Sequence, residues 1–173
     1  KVSYPLSNNI CILLMDIFEN RRNTNKKMQE KIIMEILVCI KQVPDDSVEI
    51  SLDEATGKPA LDGVTPVVNA FDTYAEEMAV RLKEAVAESE VTVVSIGDDS
   101  VKNSLKNCLA VGADHAYLVK CDEAEKLDGA AVAKVLAKAK ADIEAAEGKT
   151  FDLIFCGKES TDYAASHTGL LLA

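Results

Sequence analysis

The chain has 173 residues, 48% of them hydrophobic, enough for one ordinary domain with a core. Its formal charge of −10, with no basic stripe interleaved with aromatics, excludes a nucleic-acid partner. Five cysteines, an odd number with no CxxC pair and no histidine at ligand spacing, read as buried reduced thiols rather than a disulfide framework or a metal site.

The charge is uneven. Residues 1–33 hold six Lys or Arg and three Asp or Glu, about +3, which leaves about −13 for residues 34–173. That break marks a boundary near Met34. The apolar run 10–15, extended by Ile17 and Phe18, is too short for a bilayer span and is interrupted by Asp16. The basic cluster Arg21, Arg22, Lys26 and Lys27 follows this run, the reverse of a signal peptide. Neither export nor a membrane span is expected, and the protein reads as cytoplasmic. Residues 1–33 have no clean periodicity and are expected to be a non-native or disordered leader that adds no strand pairing. On that reading translation starts at Met34 or Met28, and a genuine N-terminal extension is the competing reading.

From Met34 onward strand and helix patterns alternate. MEILVCIKQV at 34–43 is a strong strand, and 48–52 alternate in the β sense before the turn-rich hairpin link DEATGK at 53–58. After PVVN at 66–69 a helix is predicted with Thr73 as N-cap and Glu76 completing a capping box. Its core stripe is Ala75, Met78, Ala79, Leu82 and Val86, and Glu76 and Glu77 read as a solvated face. Residues 91–96 form the next buried strand. Ser100 caps a helix that turns Val101, Leu105, Cys108 and Leu109 inward and stops at Gly112. Residues 115–119 are a strand, with His115 in a structural role. Asp128 caps an Ala-rich helix to about Ala146 that buries Val132, Val135, Leu136 and Ile143 and ends at Gly148. FDLIFC at 151–156 is a fully buried parallel strand that ends abruptly at Gly157. A loop of small polar residues follows, and Gly169-Leu170-Leu171-Leu172 opens an apolar helix. That helix reads as cut short at Ala173, so the chain is expected to be a C-terminally truncated fragment whose exposed leucines promote association.

Strands separated by helices of roughly 10 to 18 residues imply parallel crossovers. The predicted fold is α/β: a doubly wound, mostly parallel sheet with helices on both faces. Residues 34–173 form the N-terminal part of that single domain. In such sheets ligands lie outside the carboxyl ends of the strands, at the switch point. The tails at 39–42, 96–98 and 157–162 meet there, with 69–72 a fourth candidate. A strand passing into small residues at a helix N-terminus suits a phosphate, because backbone N–H groups point outward and the helix dipole favours an anion. Lys41 and Lys158 are strand-end cations that either favour a phosphate or flavin or are simply solvated. GxGxxG and GxxxxGK[ST] are absent, which leaves a Rossmann dehydrogenase or P-loop ATPase unsupported. Ser160, Asp162 and His167 sit in one short loop without GxSxG, which is not how a hydrolase triad converges.

ILVCIKQVPD from Ile36, VVNAFDTYAEEMAVRLKE from Val67, CLAVGADHAYLV from Cys108 and FDLIFCGKESTD from Phe151, in that order, resemble the beta subunit of electron transfer flavoproteins. The resemblance covers essentially all of residues 34–173, roughly the first half of that family's length. It implies an electron carrier rather than an enzyme, paired with an alpha subunit that holds most of an FAD near the interface. The beta subunit of the family carries AMP or, in electron-bifurcating members, a second FAD. Flavin reduction by NADH is open only to a bifurcating member. Implied partners are dehydrogenases such as the acyl-CoA dehydrogenases of fatty acid oxidation and a downstream acceptor.

Carried over residue by residue, the family's nucleotide contacts fall first on Cys39, then on Asn69, Ala70, Phe71 and Asp72, and then on Ile96. The loop contributes Gly157, Lys158, Glu159, Ser160, Thr161, Asp162, Ser166, His167 and Thr168. Two departures leave AMP and FAD both open: Asp162 is followed by Tyr163-Ala164-Ala165 instead of further acids, and Asp72 replaces the Cys of some relatives. Two other readings stay beside the resemblance. One is a stand-alone adenine-nucleotide-binding or hydrolysing α/β domain, although KQVPD at 41–45 replaces the Gly/Ser-rich loop that a hydrolase of this topology needs. The other is a scaffold that binds no nucleotide.

Overall fold

The computed structural model describes Ile10–Leu13, residues 34–86 and residues 88–173. In chain order the elements are β1 (Ile10–Leu13), β2 (Glu35–Cys39), β3 (Gln42–Pro44), β4 (Pro66–Val68) and α1 (Ala70–Ala85). There follow β5 (Glu90–Gly97), α2 (Val101–Val111), β6 (His115–Lys120), a 3₁₀ turn at Ala124–Lys126, α3 (Gly129–Glu147), β7 (Leu153–Gly157) and α4 (Thr168–Leu172).

β2 is apolar at successive positions, so it can only sit where both faces are covered. It takes the middle of a five-stranded sheet of order β1-β7-β2-β5-β6. β7, β2, β5 and β6 run parallel, and β1 lies antiparallel on β7, from Ile10 opposite Gly157 to Leu13 opposite Ile154. Strand alternation then divides the core. Ile36, Val38, Val91, Val93, Leu153 and Phe155 pack against Ala75 and Ala79 of α1 and Val101, Leu105 and Cys108 of α2. Leu37, Cys39, Val94 and Cys156 pack on the other face against Leu136, Ala139 and Ile143 of α3. Each such aliphatic side chain contributes about 1.5–3 kcal/mol by leaving water. The sheet is mostly parallel with helices on both faces, as the sequence predicts.

The expected leader, residues 1–33, lies outside the described residues except for Ile10–Leu13. The expectation that it adds no strand pairing is corrected there by the ladder to β7. Residues 48–52 are not a strand: the ladder in this region joins β3 to β4, and Leu52 contributes only an isolated bridge to Pro59 across the expected turn. α1 starts three residues before the expected Thr73 cap. Asn69 is its N-cap residue, and the Thr73 hydroxyl instead donates to the Ala70 carbonyl at 2.7 Å. The earlier start turns Glu76 into the core, 3% exposed, rather than onto a solvated face. Ser100 makes no side-chain cap bond, because its hydroxyl accepts from the Gln42 amide at 2.8 Å, and Leu109 is 40% exposed rather than inward. The Asp128 cap is present, accepting from the Ala131 N–H at 2.7 Å, and Gly148 closes α3 in the left-handed region at φ 67°. No helix among the described residues is long and apolar enough to cross a membrane.

Candidate functional site

The chain runs outward from β2 through β5 to β6 and then returns to place β7 on the other side of β2. The switch point of this open sheet therefore lies between the carboxyl ends of β2 and β7, the place where ligands bind in sheets of this kind. Cys39 and Cys156 are register partners at those ends.

Asp72, in the first turn of α1, joins the two strand ends. Its carboxylate accepts the Lys41 N–H at 2.8 Å and the Gly157 N–H at 3.1 Å. The side chain is buried, 6% exposed, and burial pushes its carboxyl up to about 7, against the lowering effect of the Lys41 N–H, the Asn69 side chain and the Gly157 N–H. Gly157 admits this contact because it has no side chain. A Cβ there would stand 2.2 Å from the Asp72 Oδ1 and 2.9 Å from the backbone of Asp72 and Phe71. The expected reason for a glycine at this position, close approach of a ligand, is thus joined by a second one: the α1 N-terminus occupies the space.

Asn69 fixes the loop that leaves β7. Its Nδ2 donates to the Glu159 carbonyl at 2.8 Å, and its Oδ1 accepts the Thr161 N–H at 3.1 Å. Lys41 closes the loop from the β2 side. Its Nζ stands 2.7 Å and 2.6 Å from the two Asp162 carboxylate oxygens, 3.4 Å from Ser160 Oγ and 4.8 Å from the centre of the Tyr163 ring. Ser166 Oγ donates to Glu159 Oε2 at 2.5 Å. Two non-glycine residues of the loop, Ala164 (φ 49°) and Ser166 (φ 54°), hold the left-handed conformation. Such strain costs on the order of 1–3 kcal/mol each and gathers at functional sites.

The backbone N–H groups of Lys158, Glu159, Ser160, Asp162, Ala165 and Ser166 donate to no group among the described residues. Together with the exposed Lys158, they give the loop a set of free donors of the kind that holds a phosphate. The residues present therefore fit a phosphate group.

The structure brings Cys39, Asn69, Asp72, Gly157, Glu159, Ser160, Thr161, Asp162 and Ser166 together at the carboxyl ends of β2 and β7. Ala70 and Phe71 lie between Asn69 and Asp72 as the first turn of α1. Ile96 lies near the carboxyl end of β5 and packs with Cys39 and Cys156 on the same face. The bond with the Cys156 thiol, followed by burial, pushes the Cys39 thiol well up. His167 precedes α4. Its Nδ1 is 2.7 Å from the Ala165 carbonyl, and its ring rests on Gly129 at the start of α3, where a Cβ would stand 2.1 Å from Nε2. Thr168 opens α4. Ser160, Asp162 and His167 do not converge: the first two meet Lys41, and His167 turns to Ala165. Sequence reading noted Lys41 as a cation but not as the clamp of the loop. Its place at the end of β2, beside the switch point, was the available signal.

A model of the electron transfer flavoprotein domain matches residues 60–173. The chain is 38% identical over 141 residues to the electron transfer flavoprotein subunit beta of Megasphaera elsdenii, covering 81% of this chain and 52% of that protein. It is 36% identical over 142 residues to the subunit of the same name from Homo sapiens, covering 81% and 53%. To the caffeyl-CoA reductase-Etf complex subunit CarD of Acetobacterium woodii it is 36% identical over 140 residues, covering 81% and 51%. The chain spans about half the length of the curated relatives it matches. With the family model matching its larger part, and with an open α/β sheet whose switch point carries the loop, the chain belongs to the electron transfer flavoprotein domain family.

Proposed function

We propose that this chain acts as the beta subunit of a heterodimeric electron transfer flavoprotein and binds an adenine nucleotide, AMP or the adenylate half of an FAD, at the carboxyl edge of its sheet. One observation supports the reading: the loop after β7 is fixed at the switch point by Asn69 and Lys41 while six of its N–H groups donate to no group among the described residues. In this reading residues 158–168 hold the phosphates, Lys158 supplies a cation, and the half-buried Ile96 and the Cys39 end of β2 line the floor. Asp72 fixes the strand ends rather than the ligand, because both its oxygens are taken by strand-end N–H groups.

When bound, the flavin supplies the redox chemistry, and the protein's part is to bind, orient and dock it. An alpha subunit, acyl-CoA dehydrogenase-type donors and a cytoplasmic location belong to the same proposal. The relatives named as electron transfer flavoprotein subunits support an electron carrier in place of an enzyme. Mass spectrometry of the ligand released by denaturing the purified protein tests the site. AMP or FAD at one equivalent is the expected result, and a protein that releases no nucleotide and binds none when AMP is added contradicts it.

A further inference from the structure

Residues 45–63 stand away from both halves of the core. They leave β3 and return to β4 as an arm, with Asp45 N–H donating to the Thr65 carbonyl at 3.1 Å and Ala60 N–H to the Ser51 carbonyl at 2.8 Å. Aspartates hold its bends: Asp45 Oδ1 accepts the Ser47 N–H at 2.9 Å, and Asp53 Oδ1 accepts the Ala55 N–H at 2.8 Å. The arm is thus shaped before anything binds it, which lowers the cost of ordering it on association.

None of its apolar side chains belongs to either core cluster among the described residues. Val48, Ile50, Leu52 (69% exposed) and Leu61 are all exposed. Ile50 and Leu52 stand two apart on either side of Ser51, the spacing that an extended backbone turns to one side, whereas Val48 lies in the bend that follows Asp45. The backbone groups of Glu49 and Ile50 make no hydrogen bond among the described residues. An alternating apolar pair on an open backbone edge is what strand addition by another chain requires.

Charge selects the occupant. Residues 45–63 carry six Asp or Glu and one Lys, and the whole chain is −10. A second copy would set acid against acid. A segment with Lys or Arg on one side and apolar residues on the other meets both features.

We propose that the arm at 45–63 is a docking surface for an extended, Lys- or Arg-bearing apolar segment of the alpha subunit, which pairs with the backbone at Glu49 and Ile50 and covers Ile50 and Leu52. The inference rests on the heterodimer proposed above. The test uses the complete beta subunit co-expressed with its alpha partner. Ile50→Asp with Leu52→Asp should raise the heterodimer dissociation constant at least about 30-fold, with the melting temperature and AMP affinity of beta alone unchanged. Hydrogen exchange at the amides of 49–51 should slow in the complex, and added salt should weaken wild-type association. An unchanged dissociation constant in the variant, unprotected amides at 49–51, or self-association of beta through the arm overturns the docking proposal while AMP binding still stands. A wild type that forms no complex with alpha overturns the heterodimer and the arm together.

Discussion

At the amino edge of the sheet, where β2, β5 and β6 begin, charges answer one another. Lys149 Nζ lies 2.9 Å from Glu35 and 3.6 Å from Glu90, and His115 lies 3.3 Å from Glu90. Lys83 pairs with Asp114, whose other oxygen takes the Val91 N–H at 2.8 Å. At the carboxyl edge the deepest carboxylate, Asp72, is in no ion pair among the described residues. It is held by the N–H groups of Lys41 and Gly157, and its carboxyl is raised to about 7. The ammonium of Lys41 is instead engaged by the loop at Asp162.

The two edges use the same strands for different ends. Ion pairs close the amino edge, while at the carboxyl edge Asn69 and Lys41 fix a strained loop that keeps N–H groups without a partner among the described residues.

The largest expected effect comes from Gly157→Val, which drives a Cβ into the backbone of Phe71 and Asp72. It should cost about 3 kcal/mol or more in urea unfolding, because the clash is with backbone rather than a movable side-chain tip. Loss of nucleotide binding without loss of stability would place the role of this glycine at the ligand alone.

Asp72→Asn tests the unpaired anion. Because the folded carboxyl is raised above its ordinary value of 3.8, the stability it contributes is fully present below about pH 4 and is lost as pH rises to about 7. Replacing it should flatten that decline, by up to about 3–4 kcal/mol between the two limits. Thermal melts across that range should then differ in slope between the two proteins. Equal slopes contradict the account of Asp72.

Lys149→Met removes the cation from the amino edge and strands the 14%-exposed Glu35 side chain. A loss of about 3 kcal/mol is expected, with AMP affinity unchanged in the folded protein. Lys41→Met, at a pair whose side chains are 43% and 21% exposed, should cost less than about 1 kcal/mol. It should nonetheless speed hydrogen exchange in the 158–168 loop. If Lys41→Met proves as damaging to stability as Lys149→Met, the contrast between the edges fails.

The strands of this fold were legible because burial on both faces leaves an unbroken apolar run, as in β2 and β7. The ends of α3 were legible because Asp128 and Gly148 act within one turn of themselves. Where a residue's partner lies far along the chain, local patterns misled. Thr73 has the composition of a cap, yet α1 begins earlier because the Asn69 N–H is held by the Lys41 carbonyl at 2.9 Å. Glu76 reads as half of a capping box, but that same start buries it beside Cys108, with its Oε1 in no hydrogen bond among the described residues. The site was found through its loop and the family resemblance. The Asp72 link between two strands was not readable, since it spans 31 residues to Lys41 and 85 to Gly157.

The proposed nucleotide site is the carboxyl edge of the sheet, not the charged amino edge. Mapping backbone amide shifts by NMR while AMP is added tests it most directly. Shifts are expected at Lys41, at 69–72 and through 157–168, with His115 and Lys149 unmoved. Shifts centred on the amino edge, or none at saturating AMP, would contradict it.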